Sequence, residues 1–120
     1  MSVQTFMAEF QDAIVAQKIV KTATCTLTDQ EVKGNLRICG SHASAGIAFT
    51  LPTPGDANDG AFVIIENTGV AAVTVTADAD SNGFGGASSG ADTVTLSQGL
   101  SCLVYRSETY WQVIGGETIA

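Results

Sequence analysis

Apolar residues recur along this chain with two different periods. Val3, Phe6, Met7, Phe10, Ile14 and Val15 fall at three- and four-residue steps with no Gly or Pro among them, which is the spacing of one helical face. Ser2 is placed to cap the start, and Glu9 and Asp12 occupy the opposite, polar side. A helix of about 14 residues is marginal alone in water, so the stripe of Phe6, Phe10 and Ile14 requires something to pack against.

After Gln17 the period falls to two. Between 19 and 28 the odd positions are Ile19, Lys21, Ala23, Cys25 and Leu27, and the even ones are mostly Thr. That alternation predicts a strand with one apolar and one threonine face. Val32, Gly34, Leu36 and Ile38 alternate with Lys33, Asn35, Arg37 and Cys39, predicting a second strand. Further strands are expected over 47–51, 62–66, 71–77, 93–96, 102–106 and 110–114, the continuous apolar run at 62–66 being the central one. Turn-forming residues separate them at 54–60, 67–69, 97–99 and 107–109, with a long Asp, Ser, Asn and Gly loop over 78–91.

The expected fold is therefore all-β: a β-sandwich or jelly roll of seven to eight short antiparallel strands with a short N-terminal amphipathic helix or arm. Residues 1–40 form the arm, a helix plus two Thr-rich strands, and residues 41–120 the sandwich body. A parallel α/β sheet is not expected, because no helical crossover follows any strand.

Composition sharpens this picture. In 120 residues, hydrophobic side chains make up 45% and charged ones 14%, against about 25% charged in typical domains. So few charges imply an exterior of Thr, Ser, Asn and Gly, or burial of part of the surface against other chains. The net charge of −7 is uneven. Residues 1–37 balance Lys18, Lys21, Lys33 and Arg37 against Glu9, Asp12, Asp29 and Glu31, whereas 38–120 hold eight acids and Arg106. Such a body repels nucleic acid and anionic membranes, since phosphate binding needs clustered cations. The longest apolar run, 61–65, is far short of the roughly 20 residues that cross a bilayer. The N-terminus lacks a basic n-region and holds Glu9 and Asp12, so no signal peptide is expected, and synthesis and retention in the host cytoplasm are.

Candidate chemistry is sparse. Cys25, Cys39 and Cys102 are odd in number and form no CxxC, which favours small buried thiols over a zinc or redox site. Asp78, Asp80, Asn82 and Gly83 match the opening half of a calcium loop, but Ser89 stands where the twelfth-position Glu belongs. A solvated turn is the simpler reading, and Ca²⁺ at Asp78, Asp80 and Asn82 stays open. The glycine-rich 83–90 has no Lys and opens no helix, so it is no phosphate cradle. His42 is the single histidine, with Ser41 and Ser44 nearby; a surface His is the commoner reading than a catalytic base. Asp56 and Asp59 share a turn, without the pattern of a glycosidase pair. Trp111, with Tyr105 and Tyr110, reads as a core residue closing one end of the sandwich, or as a sugar-stacking platform. No catalytic residue, metal or cofactor is expected.

One family style emerges from these segments. Phe49-Thr50-Leu51-Pro52 is followed by the turn at 55–60, then Phe62-Val63-Ile64-Ile65-Glu66-Asn67-Thr68-Gly69. Val73-Thr74-Val75-Thr76, Thr93-Val94-Thr95-Leu96-Ser97-Gln98-Gly99 and Tyr110-Trp111-Gln112-Val113-Ile114-Gly115 complete it. This order over 47–115 resembles the β-sandwich modules of bacteriophage virion proteins, both capsid decoration proteins and tail-fibre domains. The resemblance implies a non-enzymatic structural protein that forms homotrimers. One module preceded by only about 40 residues is more similar to a decoration (cement) protein on the capsid outer surface than to a long fibre. The implied partner is the major capsid protein. The expected contact residues are Phe6, Phe10 and Ile14, with the cations Lys18, Lys21, Lys33 and Arg37 suited to an acidic capsid surface. A receptor- or glycan-binding tip of a tail fibre is the alternative, and a small enzyme the third class.

Overall fold

The computed structural model describes residues 18–77, 83–86, 92–107, 109–116 and 118–119. The helical stripe of Phe6, Phe10 and Ile14 and the calcium-like Asp78, Asp80 and Asn82 lie outside these. Among the described residues, ten strands and one α-helix follow in the order β1 (Lys18–Lys21), β2 (Cys25–Thr26), α1 (Asp29–Gly34), β3 (Arg37–Gly40), β4 (Ile47–Thr50), β5 (Phe62–Asn67), β6 (Val73–Thr76), β7 (Thr93–Leu96), β8 (Ser101–Ser107), β9 (Tyr110–Gly115) and β10 (Thr118–Ile119). Short 3₁₀ turns at Asp56–Asn58 and Phe84–Gly86 interrupt the connections.

The strands form two five-stranded sheets. Sheet I has the order β1-β3-β5-β8-β9, and sheet II has the order β10-β7-β6-β4-β2. Both are mixed. β1 with β3, β3 with β5, β2 with β4, and β4 with β6 are parallel, whereas β5–β8, β8–β9, β6–β7 and β7–β10 are antiparallel. The expectation of an antiparallel all-β sandwich or jelly roll is thus overturned: the fold is a mixed one, with parallel pairings and a helix. The reason is the route of the chain. From β1 to β6 it visits the two sheets alternately, so it returns to each sheet running in the same direction. A parallel pair needs a long crossover, usually a helix; here a strand of the opposite sheet is that crossover. The absence of helical crossovers therefore says nothing against parallel pairing.

A second correction concerns 32–39, expected as one strand. Its first residues belong to α1. Thr28 Oγ1 accepts a hydrogen bond from the Glu31 amide (3.1 Å) and Glu31 Oε1 accepts one from the Thr28 amide (3.0 Å). This reciprocal capping box nucleates a helix at Thr-x-x-Glu and carries Val32 into the core, fully buried. The 19–28 strand is likewise split, with β1 in sheet I and β2 in sheet II. Between them Thr24 Oγ1 accepts from the Ala48 amide (3.0 Å), tying the crossing to β4. Residues 18–40 supply β1, β2 and β3, and β3 is hydrogen-bonded on both sides, to β1 and to β5.

Inward positions of the two sheets meet in one core. Ile38, Val63, Ile65 and Val104 from sheet I and Phe49, Val73, Val75, Val94 and Leu96 from sheet II are completely buried, with Ile19, Cys25 and Val113 packed at the margin. Full burial of such side chains stabilises by roughly 1.5–3 kcal/mol each. At Gly40 the sheets come so close that a Cβ would lie 2.7 Å from Val73 Cγ2 and 3.0 Å from Ile47 Cδ1.

Candidate functional site

Because side chains alternate across a strand, each sheet also has an outward face. The two faces are chemically unlike. On sheet II the register sets Thr26 beside Thr50, Thr50 beside Thr76 and Thr76 beside Thr93, with Ala48, Thr74 and Thr95 in the next row. Threonine satisfies both strand packing and water, so this face needs no partner.

On sheet I the outward row is apolar. Phe62 lies beside Tyr105 and Tyr105 beside Gln112; Ile64 lies beside Leu103 and Leu103 beside Ile114. Val20 stands next to Cys39 at the β1 edge. Val20, Phe62 and Ile114 remain 55%, 53% and 59% exposed. Charge on this face is confined to Lys18, the Arg37–Glu66 pair and the flanks. Arg37 Nε sits 2.6 Å from Glu66 Oε1, as an ion pair rather than an aligned hydrogen bond, and the Cys39 thiol donates to the same carboxylate oxygen (3.7 Å). Exposed apolar side chains in adjoining rows, as at Phe62 and Ile114, make this face the candidate interaction surface.

The four cations read from the sequence as a capsid-binding cluster are not equivalent in the structure. Lys18 and Arg37 are register partners on the outward face of sheet I. Lys21 is held by Glu31, with Nζ 2.5 Å from Oε2, and Lys33 is exposed in the last turn of α1. The hydrogen bond to Glu31 raises the Lys21 ammonium above its ordinary 10.5, against partial burial that lowers it. Burial pushes the Glu31 carboxyl up, but Lys21 and the Thr28 amide outweigh it and hold the group below 4.5. The Glu31 contribution is therefore complete above about pH 4.5 and lost as pH falls through its lower folded value, while that of Lys21 is complete below about pH 10.5 and lost as pH rises through its higher folded value. Glu31→Gln, which can still cap the helix, is expected to unfold more easily than the native protein at neutral pH by up to about 1 kcal/mol. Denaturant midpoints should show that gap closing as pH falls below 4.5; a gap independent of pH would mean the ion pair adds nothing.

The remaining candidates are structural. Trp111 is fully buried, and its indole Nε1–H donates to the Pro52 carbonyl (2.9 Å), so no ring face is offered to a sugar. His42 Nδ1 accepts from the amides of Ser44 and Ala45 (3.1 and 2.9 Å), which fixes its own loop. A depression of about 230 Å³ is lined by Pro54, Gly55, Asp56, Asp59, Arg106 and Thr109 and does not include His42. Arg106 Nη1 donates there to the Gly55 carbonyl (3.0 Å) and to Asn58 Oδ1, holding the turn closed. Among the described residues no group of three or more His, Cys, Asp or Glu is placed to hold a metal, and no helix is long and apolar enough to cross a membrane.

Cys39 and Cys102 are buried and Cys25 half-buried, all three as free thiols. Burial pushes the Cys102 thiol up to about 12; burial and then the Glu66 charge raise that of Cys39. Since the thiolate is the reactive form, a maleimide at neutral pH should modify Cys25 first and reach Cys39 and Cys102 only after unfolding. Equal rates for all three, read by mass spectrometry, would contradict this placement.

Comparison with known protein families, curated proteins and solved structures finds no match to this chain.

Proposed function

We propose that the chain is a structural virion protein, a capsid decoration protein that binds the major capsid protein lattice as a homotrimer and stabilises it. One observation carries the reading: the outer face of sheet II is covered in threonine, while that of sheet I exposes Phe62 and Ile114 in adjoining, largely apolar rows and Val20 at its β1 edge. A protein with one solvated face and one apolar, nearly uncharged face is suited to association rather than turnover, because large apolar patches are costly in water and gain when covered. The sequence style of 47–115 supports the virion setting.

The capsid contact is assigned to the N-terminal segment, through Phe6, Phe10 and Ile14, with Lys18 as the exposed cation where that segment joins β1. The test is co-sedimentation with capsids in low and high salt, for the full chain and for a chain lacking residues 1–16. Salt-stable binding of the full chain, lost on truncation while the β circular dichroism persists, supports the proposal. Binding that survives truncation, or a location in the tail rather than the capsid by particle imaging, rejects it.

A further inference from the structure

We propose that residues 2–15 lie as a helix on the outer face of sheet I of their own chain, and that a capsid must displace this helix in order to be bound by it. The second half rests on the assignment of Phe6, Phe10 and Ile14 as the capsid contact; the first half does not. Val20, Phe62, Ile64, Leu103 and Ile114 build the face that receives the stripe.

The connection points to this face. β1 is an edge strand of sheet I and begins at Lys18, while the apolar stripe ends at Val15, so Ala16 and Gln17 are the whole link. Helix-to-strand links of roughly two to six residues are usual where a helix packs on its own sheet, and consecutive elements are mostly neighbours in space. Sheet I has two faces. The inner one is filled, since Ile38, Val63, Ile65 and Val104 meet sheet II there and are completely buried. The outer one is open at Val20, Phe62 and Ile114.

Size and chemistry agree with the placement. A helix over 2–15 is about 21 Å long, and β8, with its seven residues, spans about 23 Å. The stripe of Phe6, Phe10 and Ile14 carries no charge. The face has Lys18 at its β1 edge, and its Arg37 and Glu66 neutralise each other. Apolar rows thus meet an apolar stripe, with Glu9 and Asp12 on the opposite, solvated side of the helix.

The tether selects the occupant. A two-residue link holds the helix at an effective concentration in the millimolar range, far above that of a second copy or a separate protein at micromolar levels. The helix, marginal alone, gains the packing it requires, and the apolar face is covered in the free protein. A capsid competes for the same stripe, so its apparent affinity is reduced by the small fraction of chains whose arm is undocked.

Hydrogen exchange of the full chain, read by mass spectrometry, tests the docking. Amides of 1–17 should exchange about tenfold or more slowly than in an unstructured chain, and equally so on dilution, because the contact lies within one chain. Phe62→Ser/Ile114→Ser should abolish that protection while β6 in the other sheet stays protected, and Thr74→Ser/Thr95→Ser on sheet II should change nothing. Should the double variant unfold, which exchange in β6 would reveal, Val20→Ser alone should speed exchange in 1–17 severalfold. An unprotected 1–17 in the native chain, protection that fades on dilution, or protection that survives substitution in sheet I overturns the docking. Capsid co-sedimentation tests the second half separately. Phe62→Ser/Ile114→Ser should bind severalfold more tightly than the native chain, because its arm is already free. Equal or weaker binding overturns the competition and leaves the docking standing, whereas a native chain that binds no capsid overturns the virion reading instead.

Discussion

Trp111→Ala should lower the free energy of unfolding by about 3–5 kcal/mol, the usual loss for removing a core tryptophan. The ring is fully buried among residues of both sheets, and its N–H occupies the Pro52 carbonyl at 2.9 Å. Truncation therefore opens a cavity and leaves a backbone acceptor without its donor. Against a total of about 5–15 kcal/mol for a domain, that is about a fifth of the stability at the least. Trp111→Phe separates the two contributions: most of the volume stays and only the hydrogen bond is lost, for about 1–2 kcal/mol. Denaturant titration at one fixed protein concentration reads both, since self-association would otherwise shift the midpoint. A loss below about 1 kcal/mol for Trp111→Ala would place the indole outside the core.

Asn67→Leu should cost about as much, through hydrogen bonds rather than volume. Asn67 is 1% exposed at the end of β5. Its Nδ2 donates to the carbonyls of Ala71 (2.8 Å) and Leu96 (2.9 Å), and its Oδ1 accepts from the Gly69 amide (2.9 Å). One side chain thus joins the turn after β5 to β7 of the opposite sheet. Replacing it with a similar apolar volume strands three partners, at about 1–3 kcal/mol for each group left buried and unpaired. Some relaxation keeps the sum near 3–5 kcal/mol. Asn67→Asp is the diagnostic companion. Its carboxylate can still accept from Gly69 but faces two carbonyls, so its cost should shrink as acid restores a donor. The same cost at neutral and acid pH would mean that packing, not bonding, fixes this position. The turn tolerates no change at Gly69 either: a Cβ there would sit 2.5 Å from the His42 amide nitrogen, a backbone atom with no room to yield.

Much of the architecture was legible in local pattern, because a period of two decides which side chains point inward. Val73 and Val75 against Thr74 and Thr76, and Val94 and Leu96 against Thr93 and Thr95, already separate core from surface. The turn at 67–69 was legible too, since Asn and Gly can take up the backbone that ends β5. The helix over Asp29–Gly34 was present in the sequence as Thr28 and Glu31 but lost to the competing alternation of 32–39. A reciprocal pair of cap hydrogen bonds outweighed a weak strand period whose alternate positions included Gly34.

What the period cannot carry is direction or partnership. Alternation is the same for a strand read either way and in either sheet. Parallel pairing of Arg37 with Ile64, or of Ile47 with Val73, depends on segments 26 or more residues apart meeting in register. The apolar outer face has the same origin. Phe62 and Ile64 belong to a run that reads simply as a central strand, and Leu103 and Ile114 lie in other strands; only the ladder places them in adjoining rows. Side-chain alternation is a local property of the backbone, whereas the order and sense of strands are set by long-range hydrogen bonds, and those exist only once the chain has wound between its two sheets.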